Sequence, residues 1–426
     1  MRTQFFTAIF FAMAASIFAA ETSLQNFITV RDGKLFDGEK EFRFISMNVP
    51  NLLMIEDNVA FTNENPWRLP DKFEINDALE TLRQMGGTVA RTYVITVVRT
   101  NDLPGTPRHV LAPGKFNEAA FRELDEVFAA ANRTGVRLII PLVDNWVWQG
   151  GRAEYTGFRG KTKDEFWTDP QLIADFKQTI HFILTRTNTV TGVRYSDDKA
   201  LLCWETGNEI PSPAAWTREI ARYIKSLDTN HLVMDGFNAS VLREESLEIP
   251  DVDIVTTHHY PGKKQSFAEL IRQNAARAHG KKAYLVGEFG FVSTEQMSDT
   301  MQVISDSGAS GGLLWSLRFR DRDGGFYWHS EPFGGNLYKA FHWPGSALGE
   351  PYDEIKLMSL VRSNAFAIRG ISVPEISIPA PPKLLPIADA AAISWQGTVG
   401  ATGYQVERAA KRDGGWQMVL PRPRQK

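Results

Sequence analysis

Eight short apolar segments alternate with amphipathic segments between residues 41 and 317, and this pattern constrains the fold more than any other feature. The apolar segments are rich in leucine and β-branched residues without strict alternation, as is typical of parallel strands buried on both faces. They cover 42–49, 88–94, 136–143, 200–205, 231–235, 254–258, 283–286 and 312–316. Helical spacing is found at 75–85, 117–132, 169–186, 213–227, 266–278 and 293–307. The sequence therefore predicts an α/β chain with a (β/α)8 TIM barrel.

Polar and aromatic residues follow nearly every predicted strand. Such barrels carry their function at the C-terminal ends of the strands. The residues are Asn48, Arg91, Asp144, Asn145, Trp146, Asn208, Glu209, His258, His259, Tyr260, Glu288 and Trp315. Two long insertions, 51–71 and 144–168, follow the first and third strands. Long loops in a compact domain are usually functional or disordered, and at this face we expect them to be walls of a substrate cleft.

Two strands end in a carboxylate next to a glycine, in Trp-Glu-Thr-Gly-Asn-Glu (204–209) and Leu-Val-Gly-Glu-Phe-Gly (285–290). Retaining glycoside hydrolysis needs such a pair, with carboxyl groups about 5–5.5 Å apart. Glu205 is the rival acid on the first strand, but it lies roughly 13 Å deeper in the barrel at strand spacing. We therefore favour Glu209 as the acid and Glu205 as architecture. Glu288 is either the nucleophile or part of a simple turn.

The other polar groups support a site without a metal. Arg91 must be paired inside a barrel, and carboxylates across the mouth are its expected partners. His258 and Tyr260 share one face of a strand, whereas the adjacent His259 points the other way. The sequence carries no other Cys/His/Asp cluster at ligand spacing, so we expect no metal and no cofactor. Its one cysteine, Cys203, is interpreted as a small buried hydrophobe.

Charge and the N-terminus bear on partners and location. A net charge of −3 gives no basic field for nucleic acid. Residues 1–20 contain Arg2, an apolar run over 5–18 and a small Ala19-Ala20 pair, as in a secretory leader. The run is shorter than the roughly 20 apolar residues of a membrane anchor. We expect a secreted or periplasmic monomer with no membrane span.

Composition changes near residue 370 and divides the chain. We expect a leader at 1–20, a catalytic barrel at 21–370 and a proline-rich linker at 371–387. The remainder, 388–426, resembles the opening strands of a fibronectin type III module, with strand patterns at 392–395, 403–407 and 416–419. About 40 residues are too few for a sandwich core, so this fragment is expected to be incomplete and not to dock on the barrel.

Several segments resemble the β-mannanases of glycoside hydrolase family 5 over about residues 25–345. They are Val-Asp-Asn-Trp-Val-Trp-Gln-Gly-Gly (143–151), Phe-Trp-Thr-Asp-Pro (166–170), Thr-Arg-Thr-Asn-Thr-Val-Thr-Gly (185–192), Tyr-Ser-Asp-Asp (195–198), Trp-Glu-Thr-Gly-Asn-Glu (204–209), Thr-His-His-Tyr-Pro (257–261), Gly-Glu-Phe-Gly (287–290) and Leu-Trp-Ser-Leu-Arg (314–318).

The resemblance implies a retaining hydrolase with Glu209 as acid/base and Glu288 as nucleophile. It further implies a supporting shell formed by Arg91, Asn208, His258, Tyr260 and Trp315. Trp146 would be a sugar contact. The chain departs from the family at Ile210-Pro211-Ser212 and at Gly262-Lys263-Lys264, where mannanases often carry other residues. These departures leave open an exo-acting β-mannosidase or a hydrolase of another β-linked glycan. A catalytically silent carbohydrate-binding protein is the alternative of a different class.

Overall fold

A closed barrel of eight parallel strands forms the body of the chain. The structure, a computed structural model, describes residues 24–56, 66–262, 264–328, 340–346, 353–387, 389, 393–411 and 413–420. The expected leader at 1–20, Lys263 and part of the first insertion (57–65) lie outside these residues. The barrel strands are β1 (Phe44–Val49), β2 (Val89–Thr92), β3 (Arg137–Pro141), β4 (Leu201–Glu205), β5 (Leu232–Asp235), β6 (Ile254–His259), β7 (Ala283–Phe289) and β8 (Gly311–Leu314). The predicted (β/α)8 fold is confirmed.

Helices fill the connections between the strands and cover the barrel. They are α1 (Lys72–Gln84), α2 (Glu118–Thr134), α3 (Arg152–Gly157), α4 (Pro170–Leu184), α5 (Ala214–Leu227), α6 (Glu244–Leu247), α7 (Phe267–Ala278), α8 (Thr294–Asp306) and α9 (Glu354–Ala367). Each of the six predicted helices is present within a few residues of its expected bounds. In the described ranges, no helix has the length and apolar character needed to cross a membrane.

The barrel has a sealed floor and an open mouth. A three-stranded antiparallel sheet (28–31, 34–37 and 40–41) precedes β1, and its Ile28 and Leu35 pack with Phe44 and Leu285 in one buried cluster. Cys203 lies in the same cluster, where burial raises the pKa of its thiol well above the usual value. This confirms its interpretation as a core residue. Because this sheet covers the N-terminal end of the barrel, we expect the site at the C-terminal ends of the strands.

The C-terminal segment contacts the barrel, so the expectation that it would not dock is wrong. Ser394 Oγ donates to Asp323 O at 2.7 Å, and Gln396 Nε2 donates to Arg322 O at 3.0 Å. Val399 packs against the main core cluster. The short strands lie at 395–396, 406–408 and 417–420, close to the predicted strand patterns but with different bounds. These long-range contacts have no local pattern that would reveal them.

Removing residues 374–426 is therefore expected to lower the melting temperature by several degrees, since Val399 and the two hydrogen bonds are lost. Calorimetry of the full and shortened chains measures the shift. The double variant Ser394→Ala/Gln396→Ala should reproduce part of it. Equal melting temperatures for all three proteins would mean that these contacts contribute nothing to stability.

Candidate active site

Arg91 organises the mouth of the barrel from the inner face of β2. Its guanidinium has five N–H donors, and each has an acceptor. Nε and one Nη2 hydrogen bind Glu205 at 2.7 and 2.9 Å, and the other Nη2 hydrogen binds Asn208 Oδ1 at 2.8 Å. Nη1 binds Glu288 Oε1 at 2.8 Å and Asn48 Oδ1 at 3.0 Å. Arg91 and Glu205 are fully buried, as expected for an acid inside the barrel. One guanidinium joins Glu205 to Glu288, so Glu205 lies closer to the site than the depth expected from strand spacing, and its architectural role stays a prediction.

A β-bulge at Gly287 turns Glu288 toward this arginine. Leu285 faces the barrel interior and Val286 faces the helices, as strand alternation requires. The pairing of β6 with β7 then skips Gly287, and Phe289 returns to the outer cluster. Glu288 thus takes the inward position that unbroken alternation would have given to Phe289. Bulges re-aim side chains in this way next to active sites.

Gly287 also makes room for His258. A Cβ on Gly287 would lie 2.9 Å from His258 Nε2 and 2.4 Å from Thr256 Oγ1, closer than any real contact. The close approach places His258 Nδ1 3.4 Å from Glu288 Oε2. On the other side, Tyr260 donates its hydroxyl to the same oxygen at 2.6 Å. His258 and Tyr260 therefore share one face of β6 and its extension, as predicted.

Glu209 follows β4 and has a left-handed backbone conformation, with φ of 50°. Such a conformation is costly for a residue other than glycine and is often found at functional sites. Its Oε1 accepts a hydrogen bond from His258 Nδ1 at 2.8 Å, and its Oε2 accepts one from Trp146 Nε1 at 2.6 Å. Burial acts to raise the pKa of Glu209, but the hydrogen bond and charge of His258, followed by the hydrogen bond from Trp146, outweigh it and lower the pKa below the usual value.

His258 completes the charge arrangement between the two glutamates. Burial acts to lower the pKa of His258, yet the nearby charges of Glu288 and Glu209 raise it above its usual value. Both carboxylates thus shift the imidazole toward its charged form, and Nδ1 lies in position to donate to Glu209. One oxygen of Glu209, one of Glu288 and a ring nitrogen of His258 all lie within 4.8 Å of one another. Two carboxyl groups this close fit the separation of a retaining pair.

Comparison with known protein families identifies the family to which this barrel belongs. Residues 25–278 match the model described as glycoside hydrolase family 5, β-mannosidase-like. The chain belongs to this family. It is 34% identical over 262 residues to mannan endo-1,4-β-mannosidase 4 of tomato, covering 48% of this chain and 66% of that protein. It is 31% identical over 267 residues to mannan endo-1,4-β-mannosidase 1 of Arabidopsis thaliana, covering 49% and 64%. The matches thus span slightly less than two thirds of these relatives.

Solved structures confirm the fold of this family 5 chain. The endo-1,4-β-mannanase from Rhizomucor miehei superposes with a TM-score of 0.63 at 21% identity, covering 81% of this chain and 100% of that one. The endo-β-1,4-mannanase from Thermotoga petrophila gives a TM-score of 0.62 at 21% identity, covering 87% and 83%. At this identity the likeness establishes the barrel architecture.

The two predicted tryptophans of the family 5 site differ in setting. Trp315, directly after β8, is 3% exposed and packs edge-on to Tyr93 at 5.8 Å in a buried cluster that also contains Trp67 and Trp148. Trp146, on the insertion after β3, is 47% exposed. The resemblance implies a sugar contact for Trp146, and the structure adds a direct hydrogen bond to Glu209.

Two residues that orient Asn208 had no role assigned from the sequence. Its Nδ2 donates to Asp144 Oδ1 at 3.1 Å and to the Tyr93 hydroxyl at 3.2 Å, while its Oδ1 accepts from Arg91. Burial raises the pKa of Asp144 to about 7 despite the hydrogen bond from Asn208. Asp144 stood among the polar residues at strand ends. Tyr93 could have been found because it lies two residues beyond Arg91, on the same face.

Glu209, His258 and Glu288 also have a spacing that a divalent cation could bridge. The carboxylate oxygens of Glu209 and Glu288 already accept hydrogen bonds from Trp146, Arg91 and Tyr260. These interactions account for the cluster without a metal. His259, next to His258, points away from the site and bonds Thr257 at 2.8 Å, as strand alternation predicts. The absence of a metal or cofactor requirement stays a prediction.

Proposed function

We propose that this chain is an exported, retaining glycoside hydrolase that cleaves β-1,4-mannosidic bonds in mannan-type polysaccharides. The observation that carries the mechanism is the short separation between Glu209 and Glu288. Inverting enzymes hold their carboxyl groups roughly 6.5–9.5 Å apart to admit a water between them, whereas here one oxygen of each lies within 4.8 Å of the other. The names of the tomato and Arabidopsis relatives support mannan as the substrate.

In the first step, a carboxylate oxygen of Glu288 attacks the anomeric carbon. The bond to the glycosidic oxygen breaks, and Glu209 gives its proton to that leaving oxygen. Arg91 and Tyr260 hold the two oxygens of Glu288, so the nucleophile is positioned before the sugar arrives. The product of this step is a glycosyl ester on Glu288.

In the second step, Glu209 accepts a proton from a water molecule, which attacks the anomeric carbon and releases Glu288. His258 donates to Glu209 and lies beside Glu288, so its protonated form would offset the negative charge that moves between the two carboxyl groups. Two displacements at the same carbon return the original β configuration. The leader pattern at 1–20 is the basis for the export part of the proposal.

Hydrolysis of β-1,4-mannohexaose, followed by proton NMR from the first turnovers, tests the mechanism. We expect the β-anomer to appear first and to mutarotate later. An initial α-anomer would contradict retention and remove the nucleophile role from Glu288. Internal cleavage into products of two to four sugars is expected for endo-action, whereas release of single mannose units alone would establish exo-action. If mannan, glucomannan, cellulose and an aryl β-mannoside all yield no product, the chain is better explained as a catalytically silent carbohydrate-binding protein.

A further inference from the structure

Both oxygens of Glu209 accept hydrogen bonds, and the donor on Oε2 is unusual. His258, 8% exposed, binds Oε1 from inside the barrel. Trp146, 47% exposed, binds Oε2 from the solvent side. Oε2 is therefore the oxygen that faces an incoming sugar, and an indole covers it.

The loop that carries Trp146 is anchored at both ends and exposed at its tip. Asn145 N donates to Asn208 O at 3.1 Å, and Trp148 Nε1 donates to Glu56 Oε2 at 2.7 Å. Between these anchors only Trp146 and Val147 are exposed, at 47% and 55%. The indole can therefore leave Glu209 without disturbing the rest of the loop.

The hydrogen bond from Trp146 conflicts with the first chemical step. An indole N–H only donates, so it stabilises the carboxylate form of Glu209. A general acid must instead carry a proton on the oxygen next to the leaving group. Glu209 cannot direct a proton from Oε2 to a glycosidic oxygen while the indole occupies that position.

We propose, on the basis of the proposed function, that Trp146 is a gate on the acid/base. The indole covers Glu209 Oε2 in the free protein, and a sugar on the leaving-group side displaces it. Displacement removes a donor from the carboxylate, so Glu209 takes up a proton from solvent when the leaving-group side is filled. Trp146 acts through Glu209 and is a positioning residue, and it makes protonation depend on the presence of a glycosidic leaving group.

The variant Trp146→Phe keeps a ring at this position and removes the N–H. Loss of the donor raises the pKa of Glu209 in the free protein, so the alkaline limb of kcat/KM on mannan should move up by about half to one pH unit. The alkaline limb of kcat should not move, because the gate is already open in the complex.

The variant leaves the other ionisable groups that face Glu209 unchanged: His258, Glu288, Arg91, Asp144, Tyr93 and Tyr260. Trp416→Phe, which removes an indole that is 58% exposed on the C-terminal segment, is the matched control and should retain both wild-type limbs.

Two pH outcomes would overturn the gate. Unshifted limbs in Trp146→Phe would make the hydrogen bond irrelevant, and equal shifts in kcat and kcat/KM would mean that the indole stays on Glu209 in the complex. A readout without turnover uses indole fluorescence in the Glu288→Ala background. Adding β-1,4-mannopentaose to Glu288→Ala should change the fluorescence emission of Trp146, and this change should be missing in Glu288→Ala/Trp146→Phe. Identical emission changes in the two proteins would contradict displacement. If the wild-type chain hydrolyses no β-mannoside, the proposed function fails and the fluorescence alone decides the gate.

Discussion

Replacing Glu288 with alanine is expected to lower kcat on mannan by on the order of 10⁵-fold or more, the scale for loss of a nucleophile. The variant should fold, since Arg91 keeps its bidentate partner Glu205 and its bond to Asn48. Initial rates on mannan and far-UV circular dichroism measure the two effects. Glu295→Ala, an exposed change at the start of α8, is the control and should retain full activity.

Azide gives a sharper test of the role of Glu288. The alanine leaves a cavity next to the anomeric carbon, where a small anion can attack in place of the carboxylate. With an aryl β-mannoside whose leaving group needs no protonation, azide should restore turnover and give α-mannosyl azide. Glu209→Ala should instead lose about 10²–10⁴-fold on mannan and much less on that aryl substrate. Equal losses on the aryl mannoside, with no rescue by azide, would mean that the roles are assigned incorrectly.

The barrel and the positions of its two acids were predictable because both are local features. Each strand is a short apolar run, and Glu209 and Glu288 follow such runs directly. The direction of their side chains toward the barrel axis was harder to predict. The orientation of Glu288 depends on a bulge at Gly287 that exists only in the pairing with β6. The left-handed φ of Glu209 was likewise not predictable, because glycine is the residue that usually marks this conformation. Glu209 and its neighbours Asn208 and Ile210 are not glycines.

Contacts between distant loops were not predictable. Asn208 was recognised as a strand-end amide, but its hydrogen bonds to Tyr93 and Asp144 join three strands. The bond between Trp146 and Glu209 depends on how a long insertion folds back over the mouth. Side-chain type and strand position therefore identified the reactive groups, whereas the groups that orient them required the three-dimensional arrangement.

Arg91→Met is expected to cost about 3–5 kcal/mol of unfolding free energy, the scale for breaking a buried ion pair. The methionine fills much of the space, but Glu205 is fully buried and loses both hydrogen bonds of its only ion-pair partner among the described residues. The double variant Arg91→Met/Glu205→Gln removes both charges and should recover much of the loss, which denaturant unfolding measures as a coupling energy. Activity should not recover with stability, because Glu288 and Asn208 still lack their shared donor, and we expect kcat to stay at least about 10²-fold below wild type. A double variant that regains wild-type kcat would show that Arg91 only supports the fold, whereas a fully stable Arg91→Met variant would mean that Glu205 is not held by this pair. The separation of the two readouts follows from the five donors of Arg91, because two of them bind the buried Glu205 and a third binds the proposed nucleophile Glu288.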